Sequence, residues 1–361
     1  MLKLLTVPIS WIYAAVTSIR NKFFDLKIFK SEEYDIPIVC VGNLSVGGTG
    51  KTPHTEMLVR MLSPYYNIAI LSRGYKRKTK GFFDVSTSSS SKIVGDEPKQ
   101  IKQRFPDILV AVCEDRRVGI RTIRAKNPDI NLIILDDGFQ HRYVETWLNI
   151  LLTDHAKPFY DDKLLPWGRL RESVSGMGRA QIVVVTKTPV DIKPIEMRLI
   201  SKYLNLFPYQ SLFFTHMVQK EPVPVFEKNR YTILEKGSRV IAMAAIADPT
   251  DFIDQLKRSY DVVDTIIFSD HYQYKKRDLN VIISKLASCG DDVNIITTEK
   301  DAVKFASSKK IPADLCRRMF KIPIEVEFVE ADHSRLNTAE HFFNRIIPYV
   351  KQNQKYNTLN P

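Results

Sequence analysis

The sequence predicts an α/β protein: a mostly parallel sheet with helices on both faces, followed by a smaller C-terminal α/β domain. Three observations predict this class. Short runs of β-branched and other apolar residues recur along the chain, for example "PIVCV", "NLIILDD" and "QIVVVTK". Helical patterns separate most of these runs. Polar signatures follow the runs directly, and ligands of parallel sheets bind at the carboxyl ends of the strands.

We predict four segments along the 361 residues. Residues 1–25 form a membrane-associated helix, and residues 26–210 form a core domain that carries a phosphate-binding loop. Residues 211–228 form an extended two-segment linker, because Pro and Val alternate in its second half. Residues 229–361 form the smaller domain, since a second series of strands and helices begins there.

The N-terminal segment "MLKLLTVPISWIYAAVTSIRNKFF" is apolar from residue 4 to residue 19 and then basic at Arg20 and Lys22. A membrane-spanning helix needs about 20 apolar residues, Pro8 interrupts this run, and no small-residue cleavage site of a secretory signal is present. We therefore expect a helix that lies on a membrane surface. A short span is the second alternative, and a helix packed on its own domain is the third.

The stretch "IPIVCVGNLSVGGTGKTPH", residues 36–54, contains a phosphate-binding loop between a predicted strand at 36–41 and a predicted helix at 52–62. Backbone N–H groups and the helix N-terminus bind phosphate, Lys51 reaches the β- and γ-phosphates, and Thr52 binds Mg²⁺. Ser45 replaces the first glycine, but the later glycines keep the loop flexible. The fold is therefore expected to be P-loop NTPase-like. The eight loop positions are Ser45, Val46, Gly47, Gly48, Thr49, Gly50, Lys51 and Thr52.

Two further motifs contain aspartates that are candidate metal-binding or catalytic residues. Asp136 and Asp137 end a predicted strand in "NLIILDDGFQHR", where a carboxylate beside a phosphate loop holds Mg²⁺ directly or through water. Asp96 in "VGDEPKQ" precedes a proline-initiated helix, so an N-cap role and a catalytic role are equally expected from this fact. His271 in "SDHYQY" is isolated, and such a histidine is more often structural than catalytic.

The formal charge of +12 and the pI near 9.3 suit nucleic acid, an anionic membrane surface or a phosphorylated substrate. No nucleic-acid-binding module is recognisable, and the basic stretches are not interleaved with stacking aromatic residues. Among the basic residues, Arg171 in the loop "LLPWGRLRES" is the best candidate to bind a substrate phosphate. The four cysteines lie far apart without a C-x-x-C pair, which argues against a disulfide framework or zinc site.

Seven motifs occur in one order along most of the chain, up to about residue 305: "VGNLSVGGTGKTP", "LSRGYKRK", "VGDEP", "LDDGFQHR", "LLPWGRLRES", "DHYQY" and "TTEKDAVKF". This ordered set resembles the tetraacyldisaccharide 4'-kinase family of lipid A biosynthesis. That family also tolerates a hydroxyl residue at the position of Ser45. One departure is Arg169, where the family pattern predicts a second proline, and this departure concerns the details of substrate binding.

The resemblance implies phosphoryl transfer from ATP, with Mg²⁺, to the 4'-hydroxyl of a tetraacylated glucosamine disaccharide 1-phosphate, which gives lipid IVA. It places a monomer that binds no nucleic acid at the cytoplasmic face of a Gram-negative inner membrane, through its N-terminal helix. It implies that Lys51 is catalytic and that Asp96, paired with His271, accepts the proton of the hydroxyl group, after the two domains close. Thr52, Asp137 and Asp136 hold Mg²⁺. The implied substrate-binding residues are Asn43, Arg73, Arg116, Gln140, His141 and Arg171.

Two other function classes stay open at this point. One is a different P-loop enzyme, such as a GTPase or a nucleotide-driven metallochaperone, although "VTKTP" is only a weak guanine-specificity signal and no Cys/His metal cluster is present in the sequence. The other is a non-catalytic basic protein that binds nucleic acid through its net charge of +12, which would show strongly salt-dependent binding.

Overall fold

In the computed structural model, strands and helices alternate along most of the chain. The structure describes residues 2–226, 232–246, 248–270, 272, 274–306, 311–329 and 337–357. The strands are β1 (Ile38–Asn43), β2 (Ile68–Ser72), β3 (Phe83–Asp84), β4 (Leu109–Val112), β5 (Leu132–Asp136), β6 (Leu148–Asp154), β7 (Ile182–Thr186), β8 (Ser211–Gln219), β9 (Val223–Pro224), β10 (Arg239–Ala244), β11 (Asp261–Ile267), β12 (Asn294–Thr298), β13 (Met319–Ile322) and β14 (Ile324–Phe328). The helices are α1 (Leu2–Asp25), α2 (Lys51–Leu62), α3 (Ser91–Val94), α4 (Asp96–Arg104), α5 (Arg116–Lys126), α6 (Pro194–Leu204), α7 (Thr250–Lys257), α8 (Lys276–Cys289), α9 (Glu299–Ala306), α10 (Ala313–Arg317) and α11 (Ala339–Asn357).

The larger sheet is nine-stranded, in the order β14-β8-β7-β6-β1-β5-β2-β4-β3. All neighbouring strands from β8 to β4 pair in parallel, and the two edge strands, β14 and β3, pair antiparallel. The central strands are buried along their whole length, which is why their sequences are continuous apolar runs rather than alternating patterns. The predicted mostly parallel sheet is confirmed, with strand ends shifted by one or two residues.

Two apolar cores cover the two faces of this sheet. In β1, Val39 and Val41 point into one core and Ile38 and Cys40 into the other, as the two-residue period of a strand requires. Helices α2, α4 and α11 supply side chains to the first core. Helices α5 and α6 supply side chains to the second. Helices on both faces are the layering that the sequence predicts.

The smaller sheet is five-stranded, in the order β11-β10-β12-β13-β9. Strand β10 pairs in parallel with β11 and β12, β12 pairs in parallel with β13, and β9 is antiparallel at the edge. Two further apolar clusters cover its faces. The chain therefore contains a second α/β unit after the first, as predicted.

The two sheets are not built from two consecutive halves of the chain. Strand β8, in the segment predicted as a linker, belongs to the larger sheet, whereas β9 belongs to the smaller one. Strand β14 pairs with β8, and Phe342 and Ile346 of α11 pack into the first core of the larger sheet, so the chain returns to its first half. The predicted boundaries at residues 210 and 228 follow local patterns, and a local pattern does not specify which sheet a strand joins.

The N-terminal helix α1 runs unbroken through Pro8. Its polar side contacts the core: the Ser10 hydroxyl donates to Leu164 O at 2.9 Å, and the Tyr13 hydroxyl donates to Arg171 O at 2.7 Å. Its opposite side exposes Ile9, Ile12, Val16 and Ile19. Among the described residues, we find no helix whose length and apolar character are sufficient to cross a bilayer.

Candidate active site

The phosphate-binding loop connects the carboxyl end of β1 to the N-terminus of α2. Gly47 and Gly50 take positive φ values of 116° and 83°, a conformation that side chains with a Cβ rarely adopt. Ser45 takes no positive φ, and it forms a β-bridge with Leu170. The first position of this loop therefore has no conformational need for glycine, which explains why serine is compatible with it.

The two sides of the loop differ in how much space they leave. A Cβ placed on Gly47 or Gly48 would meet no atom within 4 Å. A Cβ on Gly50 would lie 2.4 Å from the terminal methyl group of Met217, which would have to move. The open side presents backbone groups and the N-terminus of α2, and this is the arrangement that binds phosphate.

Hydrogen bonds fix the loop to its neighbours. Val46 N donates to Arg169 O at 2.7 Å, and Asn43 Nδ2 donates to the buried Thr49 hydroxyl at 2.8 Å. The Thr186 hydroxyl, at the end of β7, donates to Thr49 O at 3.0 Å. Asn43, predicted as a substrate-binding residue, therefore also holds the loop in place. Its Oδ1 is buried without a hydrogen-bond partner among the described residues.

Arg169, the residue that departs from the family pattern, has a local role. Its Nε lies 2.7 Å from Asp162 Oδ2, and its Nη2 donates to Lys157 O at 3.1 Å. Its backbone oxygen accepts the Val46 hydrogen bond described above. The side chain thus stabilises the 157–169 segment internally, and the backbone of Arg169 connects this segment to the loop.

His54 in the first turns of α2 links the loop to β8. Its Nδ1 lies 2.8 Å from Gly50 O and must donate, so its Nε2, 3.0 Å from the Thr215 hydroxyl, accepts. Burial lowers the pKa of His54 to about 4. The imidazole is therefore neutral at pH 7, with the Nδ1–H tautomer fixed by its two partners.

We expect His54 to make the free energy of unfolding dependent on pH. Its pKa is about 4 in the folded protein and near 6.5 when exposed, so the folded state loses up to about 3 kcal/mol as the pH falls from 6.5 to 4. Chemical denaturation of the parent and of His54→Asn, at pH 7.5 and at pH 4.5, checks this. The stability difference between the two proteins should shrink at pH 4.5; an equal difference at both pH values would contradict the assignment.

Asp136 and Asp137 lie beside this loop, at the end of β5, next to β1. Asp136 is buried, and its Oδ1 accepts a hydrogen bond from the Thr55 hydroxyl at 3.3 Å. Burial raises the pKa of Asp136 to about 7, with smaller contributions from the negative charges of Glu97 and Asp137. The influence of Glu97 places the first turn of α4 close to this carboxylate.

Asp137 is the ionised member of the pair. It takes φ 53°, and its Oδ1 lies 2.8 Å from Arg171 Nη1 and 3.7 Å from Lys51 Nζ. Burial acts to raise the pKa of Asp137, but Lys51 and Arg171 outweigh it and hold the pKa below its ordinary value. The structure thus brings Lys51, Asp137 and Arg171, three predicted site residues, into one ionic cluster.

The donor set fits a magnesium ion. Mg²⁺ is bound through one or two carboxylates together with substrate phosphates, not by a cage of protein ligands. Asp136 and Asp137 supply two carboxylates, and Thr52 follows Lys51 at the start of α2. In the part of the chain that the structure describes, no group of three or more His, Cys, Asp or Glu side chains forms an alternative metal site.

A second polar cluster lies beside the loop and connects it to α1. Gln140 Nε2 donates to Asn43 O at 2.8 Å and to Glu172 Oε1 at 2.9 Å. Glu172 also accepts from Asn21 Nδ2 at 2.8 Å and from Arg179 Nη2 at 2.8 Å. Arg171 Nη1 reaches Gln140 Oε1 at 3.3 Å. The cluster therefore joins the predicted Gln140 and Arg171 to the inner side of the N-terminal helix.

Arg116, His141 and Arg73 are three further predicted site residues, and they differ in burial. Arg116 is buried, its Nη1 donates to Cys113 O at 2.7 Å, and its Nε has no hydrogen-bond partner among the described residues. Burial lowers its pKa, whereas the charges of Asp137 and Asp136 act to raise it. Burial, followed by the charge of Arg116, lowers the pKa of His141 to about 4. Arg73 is exposed after β2, close enough for its charge to act on Arg116.

Asp96 is the first residue of α4, and Gly95 occupies the N-cap position, so the N-cap alternative for Asp96 is wrong. Gly95 packs against Gly74, because a Cβ on Gly95 would lie 3.3 Å from Gly74 Cα, and both glycines take positive φ. This contact holds Asp96 at the carboxyl edge of the sheet, beside the end of β2. Asp96 itself is buried.

Across from Asp96 lies Lys304 of α9, in the second α/β unit. Lys304 Nζ is 3.9 Å from Asp96 Oδ2 and 3.0 Å from Asp301 Oδ1. Asp301 is fixed by hydrogen bonds from Ala245 N and the Thr298 hydroxyl, both at 2.8 Å. His271, the predicted partner of Asp96, lies outside the described residues, so its pairing with Asp96 on domain closure stays a prediction.

Sequence reasoning missed three residues of this region. Glu172 directly follows Arg171, and Lys304 lies in the motif "TTEKDAVKF", so both were within recognised stretches. Glu97 follows Asp96 and acts on the pKa of Asp136. The sequence does show each of them as a charged residue in or next to a motif, but it does not show which distant residue each one contacts in the folded chain.

The fold and the loop together define the class: an α/β protein of the P-loop type, with acidic residues at the end of a neighbouring strand. Comparison with known proteins identifies the family. The model of the family described as tetraacyldisaccharide-1-P 4'-kinase matches residues 2–340. The chain therefore belongs to the tetraacyldisaccharide-1-P 4'-kinase family.

Individual relatives agree with this assignment. The chain is 41% identical over 360 residues to the tetraacyldisaccharide 4'-kinase of Bacteroides thetaiotaomicron, with 96% of this chain and 93% of that protein covered. It is 40% identical over 355 residues to the one of Flavobacterium johnsoniae, with 98% of each chain covered. A crystal structure of LpxK from Aquifex aeolicus in complex with ATP is 28% identical, with a TM-score of 0.76 over 97% of this chain and 100% of that one. The predicted family, fold class and enzyme class, a kinase of lipid A biosynthesis, are confirmed.

Proposed function

We propose that this chain transfers the γ-phosphoryl group of ATP to the 4'-hydroxyl of the tetraacylated glucosamine disaccharide 1-phosphate, which gives lipid IVA. The observation that carries the proposal is the ionic cluster of Lys51, Asp137 and Arg171 at the start of α2, beside the phosphate loop. It combines a phosphate-binding cation, a metal-binding carboxylate and an arginine in one place, as phosphoryl transfer requires.

The loop binds the nucleotide. The open faces of Gly47 and Gly48 leave room for phosphate oxygens close to the backbone. The N-terminus of α2 adds positive potential there, and Lys51 Nζ reaches the β- and γ-phosphates. His54 and Thr49 hold the loop in this shape through their bonds to β7 and β8.

Thr52, Asp137 and Asp136 would hold a magnesium ion. When bound, Mg²⁺ neutralises charge on the β- and γ-phosphates. The raised pKa of Asp136 supports this role, because a buried carboxylate next to two other acidic groups is stabilised by a nearby cation. Lys51 and Arg171 keep Asp137 ionised and oriented.

Asp96 accepts the proton of the sugar hydroxyl as that oxygen attacks the γ-phosphorus. Its position at the carboxyl edge and the closeness of Glu97 to Asp136 bring its helix next to the phosphate site. Lys304 faces Asp96 from the second α/β unit and orients this carboxylate. The predicted role of His271 is to pair with Asp96.

Arginines bind the acceptor. Arg171 lies 2.8 Å from Asp137, and Arg116 is near enough for the charge of Asp137 to act on it. Guanidinium groups bind phosphate oxygens in pairs of hydrogen bonds. The Nε of Arg116 and the Oδ1 of Asn43 have no hydrogen-bond partner within the described part of the chain. They are a donor and an acceptor suited to the substrate, since buried polar atoms normally find partners. Arg73, Gln140 and His141 complete the proposed substrate site.

Helix α1 places the enzyme on the cytoplasmic face of the inner membrane. Its outward residues Ile9, Ile12, Val16 and Ile19 recur at intervals of three and four, which aligns them along one side of the helix. Its inner side is occupied by bonds to the active-site segment, including Tyr13 to Arg171 O. A helix of this kind lies in the interface, with its apolar face among the acyl chains of the lipid that supplies the substrate.

We predict that Ile12→Gln with Val16→Gln releases the protein from membranes but leaves the site folded. Both side chains are exposed, at 67% and 60%, so the change removes lipid contact and little internal packing. We expect an approximately tenfold weaker partition onto vesicles, since burial of apolar side chains sets interfacial affinity. Vesicle sedimentation measures it. Unchanged sedimentation of this double variant would refute the role of the apolar face of α1. Deletion of residues 1–22 is a poorer test, because it also removes the contacts of Tyr13 and Asn21.

The function itself is tested by product analysis with ATP, Mg²⁺ and the disaccharide 1-phosphate. We expect one phosphoryl group on the lipid, and ATP consumption that depends on the lipid. Nucleotide hydrolysis that is independent of the lipid, or that requires GTP, would instead favour the other P-loop classes.

A further inference from the structure

Helix α6 carries apolar residues on both of its sides. Its inner side, with Met197, Ile200 and Leu204, packs into the second core of the larger sheet. Its outer side holds Ile195, Leu199 and Tyr203, which are 57%, 45% and 64% exposed. The spacing of four residues places these three side chains along one stripe of the helix. We call this stripe the outer face of α6.

The outer face of α6 is connected to the N-terminal helix through one chain segment. The Tyr203 ring stacks on Tyr160, with ring centroids 5.8 Å apart. Four residues further along the chain, Leu164 O accepts the hydrogen bond from Ser10 of α1. Trp167, three residues after Leu164, is exposed. Residues 160–167 therefore connect the two helices, because Leu164 is bonded to the inner side of α1 and Tyr160 stacks on the outer face of α6.

Basic residues outnumber acidic ones between residues 193 and 204, whereas the exposed Asp161 and Asp191 lie just outside this range. Lys193, Arg198 and Lys202 are all exposed beside it. Glu196 is the one acidic residue of α6. Lysine and arginine that flank exposed apolar and aromatic side chains suit the boundary between anionic headgroups and acyl chains, where the stems of basic residues lie along the apolar region. Tyrosine and tryptophan are enriched at the same boundary.

We propose that the outer face of α6 is a second lipid-contacting surface, which lies on an anionic bilayer next to α1. The proposal rests on the membrane location given under the proposed function. Two contact elements fix the orientation of an enzyme on a membrane, whereas one helix leaves it free to rotate about that helix. The active site, between α1 and the sheet edge, would then face the lipid at a constant angle.

The test is a double variant, Ile195→Gln with Leu199→Gln, which keeps the stacked pair of Tyr203 and Tyr160. Glutamine is a good helix former, so α6 should stay intact. A matched control, Ile233→Gln with Val281→Gln, changes two exposed apolar residues of the second α/β unit. Sedimentation is measured with vesicles of phosphatidylglycerol and phosphatidylethanolamine, and with neutral phosphatidylcholine vesicles. We expect partition onto the anionic vesicles to weaken on the order of tenfold for the α6 variant and to stay unchanged for the control.

Three measurements make the result decisive. Thermal melting must show equal stability of the two variants, and Lys193→Gln with Lys202→Gln should weaken binding to anionic vesicles only, because it removes charge and no apolar surface. Partition equal to the parent for both α6 variants would overturn the proposal.

A sedimentation coefficient of the α6 variants that differs from that of the parent in the absence of vesicles would also overturn the proposal, because the outer face of α6 would then join two copies of the chain. Kinase activity in detergent solution should be unchanged in the α6 variants; absence of kinase activity in the parent would count against the proposed function and not against this surface.

Discussion

Replacing Lys51 with methionine should reduce kcat on the order of 10³-fold, the magnitude typical for loss of one preorganised group that stabilises charge in a transition state. Lys51 Nζ lies 3.7 Å from Asp137 Oδ1 at the start of α2. In the proposed mechanism the same ammonium group neutralises the γ-phosphate as negative charge redistributes during transfer. Methionine keeps the length of the side chain and removes its charge, so the loop itself should persist.

Steady-state kinetics with ATP and the lipid disaccharide, together with calorimetric titration of ATP, measure this effect. The matched control is Lys80→Met, which removes an exposed lysine from the loop between β2 and β3. Thermal melting separates a catalytic effect from an unfolded loop. A Lys51→Met protein with the kcat and ATP affinity of the parent would remove this loop from the mechanism.

The second large effect is expected at Asp96. Asp96→Asn should lower kcat by roughly 10²- to 10⁴-fold, the range for loss of a general base, and should leave ATP affinity close to that of the parent. Asparagine has the same shape and keeps one acceptor oxygen, but it does not accept a proton at neutral pH. Asp96 is buried and faces Lys304 at 3.9 Å, so the change also removes one of the two carboxylates near this ammonium group, the other being Asp301 at 3.0 Å.

Two comparisons isolate the role of Asp96 as a base. Asp107→Asn is the matched control, since Asp107 is an exposed carboxylate that follows the same helix. Lys304→Met tests orientation: it should lower kcat less than Asp96→Asn and alter the pH profile of kcat/KM, because the charge next to the base is gone. Near-normal turnover of Asp96→Asn would show that another group accepts the proton.

The local part of the fold was predictable from the sequence. Strands such as β5 and β7 are short apolar runs with a polar residue at the end, and this pattern depends only on neighbouring residues. The phosphate loop was predictable for the same reason, because its glycines and Lys51 follow a strand and precede a helix. Ligands of parallel sheets bind at the carboxyl ends of the strands, and this rule alone predicted that Asp136 and Asp137 lie next to the loop.

Contacts between distant segments were not predictable in this way. The role of Glu172 depends on Asn21 and Gln140, which lie more than 30 residues away in sequence. The return of β14 to the larger sheet and the contact of Lys304 with Asp96 join residues about 100 or 200 positions apart. The sequence of α1 did indicate a membrane surface, but not which of its sides contacts the active-site segment.

The proposed function is tested most directly by identifying the molecule and the atom that receive the γ-phosphoryl group of ATP. Purified protein is incubated with γ-labelled ATP, Mg²⁺ and the tetraacylated disaccharide 1-phosphate, and the lipid product is examined by mass spectrometry and by phosphorus NMR. We expect the parent to add one phosphoryl group, on the 4'-oxygen, and Lys51→Met to form this product on the order of 10³-fold more slowly. Phosphate released to water with the lipid unchanged, or a product formed equally well by Lys51→Met, would contradict the proposed function.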